Sequence, residues 1–315
     1  MPDTSTIESE TVPQTPEDAA KDPTTAISWS EFLGAASARG IKDRYLSEVN
    51  SILTRSATSE KYCFLALLEP ENSIDAVDLD GIFESLTEHN SERKKDVLLI
   101  LLSRGGNIEP AYQISKLCKS FAANRFVVVV PREAKSAATL IALGADEIHM
   151  GQLGQLGPID PQLGGLPALG VAQALKTLAG LAQVYPGSSD MFARYLQMAV
   201  TVEQIGYCDR ISESALQYAE RLLSTKPKLT SNANAIAKRL VYEYKHHGFV
   251  IDVAEARSLL GRDLIIDSSP EIELAEELYR HFDKLNFELG LRQKKRIIVA
   301  GNFSRPQILI LKRKE

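Results

Sequence analysis

Three short apolar runs, CFLALL (Cys63–Leu68), DVLLILL (Asp96–Leu102) and FVVVV (Phe126–Val130), set the class of fold open to this chain. Beyond the opening Asp96 they carry no polar side chain, so each reads as a strand covered on both faces. Between them, Ala76–His89 has helical spacing at Leu79, Ile82, Phe83 and Leu86, and Ile108–Phe121 is helical again. A fourth, short strand is expected at Glu147–Met150. Strands alternating with helices imply βαβ units, a parallel sheet and right-handed crossovers.

The rest of the chain is organised around that core. Residues 1–26 are rich in Pro, Thr, Glu and Asp and nearly lack large apolar groups, so a disordered tail is expected. Ser30 is placed to cap a helical segment, 27–58, carrying Phe32, Leu33, Ile41, Tyr45 and Val49. Beyond Gly164 helices are expected at Val171–Gln183, Ser189–Val202, Ser212–Leu223, Asn232–Lys245, Val253–Leu259 and Glu271–Asn286. Two strands, Ile297–Ala300 and Ile308–Leu311, close the chain. The expected division is a core domain over 59–265 and a C-terminal helix and hairpin over 266–315.

Composition narrows the function. A net charge of -5 over 315 residues argues against a nucleic-acid partner held through its phosphates. Cys63, Cys118 and Cys208 are scattered without a CxxC pair, which fits a reducing, cytoplasmic setting and excludes a cysteine-rich zinc site. No apolar run reaches the ~20 residues of a membrane span, so direct membrane insertion is not expected. There is no GxxxxGK[ST] or GxGxxG pattern, and nucleotide hydrolysis has no support.

Two strand-to-helix turns carry the chemistry. In LLSRGGNI (101–108) a buried strand runs into Gly105-Gly106 and a helix. Glycines there leave amide N–H groups unshielded, as a tight turn or as a cradle for an oxyanion. One unit later FVVVVPREAKSAATLIALGAD brings Ser136 to the start of a small-residue helix, as an N-cap or as a nucleophile. Together the two turns can set a nucleophile and two oxyanion donors around one point.

SRGGN, FVVVV, SAATLIALGAD and LGQLGPIDPQ resemble the Clp and signal-peptide-peptidase clan of serine peptidases, and within it the serine dehydrogenase proteinase family. The resemblance covers roughly Lys61 to Arg262. It implies a Clp/crotonase-like α/β fold with a helical C-terminal extension and a Ser, His, Asp triad. Carried over position by position, it makes Ser136 the nucleophile, Asp160 in GPIDPQ the carboxylate and His247 in HHGFVIDVAEA the base. The oxyanion hole would come from the amides of Gly106 and Ala137, with Gly105 as a further donor. Where the resemblance leads one to expect a neutral residue before the serine, this chain has Lys135, a cation that could lower the effective pKa of the serine.

The local sequence leaves the base open. His89 and His281 read as surface residues and His149 as a strand residue; His246 and His247 are adjacent, so one of them can face the site. Lys176, alone in the apolar stretch VAQALKTLAG, is an alternative base of the Ser–Lys kind if burial keeps it neutral, or a lysine snorkelling to water. Asp160 between Pro158 and Pro161 could instead bond its own turn. The implied reaction is peptide-bond hydrolysis through an acyl-enzyme, on a peptide or protein substrate, by a homo-oligomer needing no metal or organic cofactor. Two alternatives stand beside it: an inactive Clp-like scaffold that binds peptides, and an acyl-CoA enzyme of crotonase type.

Overall fold

A computed structural model describes residues 28–304, apart from 35, 59, 164, 165 and 200, together with 307–310. The tail expected over 1–26 lies outside the described residues. Ser28, two positions before the expected cap, opens α1 (Trp29–Phe32) through a capping box with Glu31, and Ser37 caps α2 (Ala38–Arg55). The core then alternates as β1 (Tyr62–Leu68), α3 (Ala76–Asn90), β2 (Asp96–Leu102), α4 (Ile108–Phe121), β3 (Phe126–Val130), β4 (Glu133–Ala134), α5 (Ala137–Leu143), β5 (Glu147–Met150) and β6 (Gln155–Leu156).

A small β7 (Gln162–Leu163) and β8 (Leu166–Pro167) lead into α6 (Ala168–Val184), α7 (Ser189–Ala199), α8 (Val202–Leu223), α9 (Ala233–Lys238) and α10 (Val253–Leu260). β9 (Ile265–Ile266), α11 (Pro270–Gln293), β10 (Lys295–Gly301) and β11 (Gln307–Ile310) complete the described chain.

The main sheet runs β11-β10-β1-β2-β3-β5-β9. β1, β2, β3, β5 and β9 are parallel neighbours. Along β2, Val97, Leu99 and Leu101 enter one core with α3, α4, α5 and α8, while Leu98, Ile100 and Leu102 enter another with α2 and α11. The period-2 alternation of strand side chains, with every position apolar, thus produces three layers. The fold is mixed α/β with a mostly parallel sheet and a helical C-terminal region.

Several elements differ from their expected limits. β10 pairs antiparallel with β1, so the tail hairpin extends the core sheet and covers an edge that would otherwise be open. β9 is two residues long and carries no readable period. α8 starts ten residues earlier than expected, at a Thr201–Gln204 capping box. The helix expected over Asn232–Lys245 stops being α-helical at Lys238 and widens into a π turn over Arg239–Glu243. His281 is not a surface residue: its ring stacks on Tyr45 at 5.4 Å, and Nδ1 lies 3.1 Å from Glu48 Oε2.

Beneath the β1–α3 loop lie two buried acids, Glu69 and Asp78. Burial first, then the Asp78 carboxyl beside it, pushes Glu69 up to about 8, and burial raises Asp78 to about 6. The folded chain therefore holds protons that the unfolded chain has released, from the ordinary carboxylate range up to about 8. Stability from this pair is full below that window and falls as pH rises through it. Urea unfolding of Glu69→Gln should gain on the parent chain between pH 5 and pH 8 by on the order of 1 kcal/mol or more. A difference that stays flat with pH would show that Glu69 does not hold its proton in the folded chain above the ordinary carboxylate range.

Candidate active site

β1, β2 and β3 end on one edge of the sheet, and the loops leaving them meet there. At the end of β2, Ser103 N–H donates to Glu133 O at 3.1 Å and Ser103 O accepts from Lys135 N–H at 3.0 Å. On its other side the same loop is strapped to the β1–α3 connection: Ile74 N–H donates to Gly105 O at 3.0 Å, and Asn107 N–H to Ile74 O at 2.9 Å. The Gly-Gly segment is held between two neighbours and cannot drift.

Both glycines are required by close approach. A Cβ on Gly105, whose φ is +108, would fall 2.7 Å from Ser136 Cβ; one on Gly106 would fall 2.2 Å from Ile74 N. Gly105 N–H donates to Ser103 Oγ at 3.2 Å, which corrects the expectation that Gly105 is an oxyanion donor: it supplies clearance. Among the described residues no hydrogen bond is made by Gly106 N–H or Ala137 N–H. Ala137 follows Ser136 in the chain, and Gly106 shares the cavity wall with it.

Ser136 has φ 52 and ψ -120 and makes no side-chain cap. The other non-glycine residues with positive φ, Arg93 and Lys294, end helices or turns; Ser136 holds this conformation between a strand and a helix. Such backbone costs of order 1–3 kcal/mol and clusters where function demands it. A strand-to-helix turn of this kind lifts a serine Oγ off the sheet. Among the described residues Ser136 Oγ has no hydrogen-bond partner, and Ser136 lines a cavity of about 650 Å³. As an N-cap it would have to accept from the first turn, and it does not.

His247 lines the same cavity. Its Nδ1 lies 2.6 Å from Asp160 Oδ1, and the Asp160 carboxyl is 5% exposed. A carboxylate only accepts, so in the neutral imidazole this bond selects the tautomer with the proton on Nδ1 and the lone pair on Nε2. Asp160 therefore bonds a ring 87 positions away and not its own turn. The turn is held separately: Gly157 N–H donates to Thr139 Oγ1 of α5, and Ile159 N–H to Leu240 O in the π turn. That π turn hands the chain to His247, in keeping with the habit of such turns at functional sites.

The remaining candidates lie elsewhere. Lys176 is exposed on α6 and is not among the cavity residues, so the burial that its use as a base requires is missing. His246 is exposed and accepts from Gly248 N–H. His149 is buried between Ser269 (2.8 Å) and Glu147 (3.1 Å) inside the sheet layer. His89 is beside Glu88 at a helix end. Lys135 does not point its ammonium at the cavity; it is enclosed by oxygens of other loops. Asn72 and Ser73 from the β1–α3 loop and Tyr207 and Ile211 from α8 also line the cavity, and they carry no motif by which sequence could find them.

Residues 73–186 match the family of ClpP-like SDH-type serine proteinases. That stretch holds Gly106, Ser136, Ala137 and Asp160 and leaves His247 beyond its end. Two uncharacterised proteins of Methanocaldococcus jannaschii are related in sequence. One is 30% identical over 188 residues, 60% of this chain and 60% of its own length; the other is 40% identical over 76 residues, 24% and 26%. The chain thus matches less than two thirds of the length of either relative. Among solved structures, a serine-to-alanine mutant of the 1510-N membrane-bound stomatin-specific protease aligns at 13% identity and a TM-score of 0.42, covering 81% of this chain and 95% of that one. ClpP1 from Listeria monocytogenes aligns at 14% identity and a TM-score of 0.39, covering 67% and 94%. Among the described residues no helix is long and apolar enough to cross a membrane.

Proposed function

We propose that this ClpP-like chain is a serine peptidase that cleaves peptide bonds through an acyl-enzyme on Ser136. One observation carries the reading. An unpartnered serine hydroxyl on strained backbone, 9% exposed at a cavity wall, shares that cavity with a histidine whose Nδ1 is engaged by a buried carboxylate. The family match, which holds Ser136 and Asp160 but not His247, supports it.

In this mechanism Ser136 Oγ attacks the scissile carbonyl carbon while His247 Nε2 takes its proton. The negative charge that builds on the carbonyl oxygen is met by Gly106 N–H and Ala137 N–H, preset by the strapped loop and needing no reorganisation. Asp160 holds the imidazolium by its Nδ1–H. The tetrahedral adduct then expels the amine, which takes the proton from His247, and leaves the acyl group on Ser136. Water repeats the sequence, with His247 again as base, and releases the carboxylic acid. Among the described residues Ser136 and His247 are not hydrogen-bonded to each other, and the mechanism requires that bond to form with substrate in place, as such bonds commonly do.

An acyl-CoA reaction would use a carboxylate base and has no use for a strained serine. An inactive scaffold would keep the cavity without a proton acceptor beside Ser136, and His247 lines it. A homo-oligomer is part of the same proposal: Val184, Tyr185, Met191, Tyr195 and Met198 on α6, α7 and the turn between them are all more than half exposed, an apolar surface unusual for a monomer. A soluble cytoplasmic setting is proposed with it. The test is to incubate the purified chain with a diverse peptide pool and sequence the new amino termini. Cleavage should appear and should stop after treatment with a serine-directed phosphonate. Cleavage that survives the phosphonate would contradict a serine mechanism.

A further inference from the structure

Lys135 immediately precedes the nucleophile and is 7% exposed. Its Nζ donates to Gln155 Oε1 at 2.8 Å, to Phe249 O at 3.1 Å and to Leu156 O at 3.3 Å. All three acceptors are neutral. Burial holds the ammonium below the ordinary lysine range, with Glu133 opposing that shift. A buried cation without a carboxylate partner is a costly way to fill space, and an apolar residue would pack there with less penalty. The carbon stem of Lys135 already packs on Gly157, where a Cβ would fall 2.6 Å from Lys135 Cδ.

The three bonds reach both remaining parts of the site. Gln155 and Leu156 begin the loop that ends in Asp160. Phe249 is two residues beyond His247. Upstream and downstream, the histidine segment is fixed by Leu240 O to Ile159 N–H and by the paired Leu156 and Ile251. Within 244–250 itself, the hydrogen bonds to the nucleophile's side among the described residues are His247 to Asp160 and Phe249 O to Lys135.

We propose that Lys135 is a positioning residue for the reaction at Ser136: its ammonium ties the loop that carries His247 to the turn that carries the serine. The proposal rests on the peptidase reading for its catalytic consequence. Lysine suits the task because it offers three donors on a stem long enough to span from the serine's turn to two separate loops. Methionine in its place keeps the stem and removes every donor.

The test compares Lys135→Met, His247→Ala and the double variant, with urea midpoints to establish folding. Lys135→Met should lower kcat by about 10- to 100-fold with KM within about twofold, the cost of a misplaced base. Because the effect passes through His247, the double variant should be no slower than His247→Ala alone. Unchanged kcat in Lys135→Met, or losses that multiply in the double variant, would overturn the proposal. Should Lys135→Met fail to fold, Lys135→Gln is read by the same two criteria. Hydrogen exchange over 244–250 reads the tether without activity: it should quicken in the Lys135 variant, and unchanged exchange would overturn the tether. A parent chain without hydrolysis or serine labelling would count against the peptidase reading, and exchange would still decide the role of Lys135.

Discussion

Ser136→Ala should lower kcat for peptide hydrolysis by about 10⁶-fold while leaving the fold intact. Two other hydroxyls line the cavity, Ser73, whose Oγ lies close to Gly106, and Tyr207, but neither has the positive φ that Ser136 holds between a strand and a helix. Stability should not rise in this variant, because alanine at φ 52 and ψ -120 inherits the same backbone strain. Ser136→Gly separates the two effects. It should lose hydrolysis as completely and gain about 1 kcal/mol of unfolding free energy, since glycine accepts positive φ without a Cβ conflict. Thermal or urea unfolding beside a steady-state assay measures both. Residual hydrolysis within about 100-fold of the parent chain in Ser136→Ala would assign the chemistry to another group.

Asp160→Asn should lower kcat by about 10⁴-fold at neutral pH. The carboxylate is nearly sealed from solvent, its oxygen lies 2.6 Å from His247 Nδ1, and the loop around it is held by Thr139 and Leu240 rather than by the acid itself. The substitution should therefore leave the loop in place and change only the bond. An amide in that position can turn its NH2 toward Nδ1, which moves the ring proton to Nε2 and removes the lone pair that the proposed mechanism needs. KM should stay within about threefold, because Asp160 touches His247 and has no contact with substrate in the proposed mechanism. A loss of less than tenfold would show that the pair is only structural.

Much of this arrangement was legible in the sequence because it depends on local pattern. Unbroken apolar runs identify strands buried on both faces, and β2, α4 and β3 fall on their expected limits. Gly105-Gly106 after a strand and Ser136 before a helix are likewise local signals, and both turns meet at the cavity. What stayed hidden depends on distance along the chain. The antiparallel β10 against β1 is a pairing between residues more than two hundred positions apart, with no crossover to announce it. The wall residues Tyr207 and Ile211 ride on a helix whose sequence says only that one face is apolar. Gly105 read as a donor because sequence shows where an amide is unshielded, not whether Ser103 Oγ already holds it. Lys135 read as a cation beside the serine because sequence places its backbone; the reach of its ammonium to Phe249 depends on a loop over a hundred residues away.

The central claim is that a reactive serine and a histidine base converge at position 136. The most direct measurement is the site and rate of covalent capture by a fluorophosphonate probe, mapped by peptide mass spectrometry in the parent chain and in His247→Ala. One adduct should form, on the peptide that contains Ser136, at least about 100-fold more slowly when His247 is alanine. An adduct on another serine, or capture at Ser136 that is indifferent to His247, would contradict the central claim.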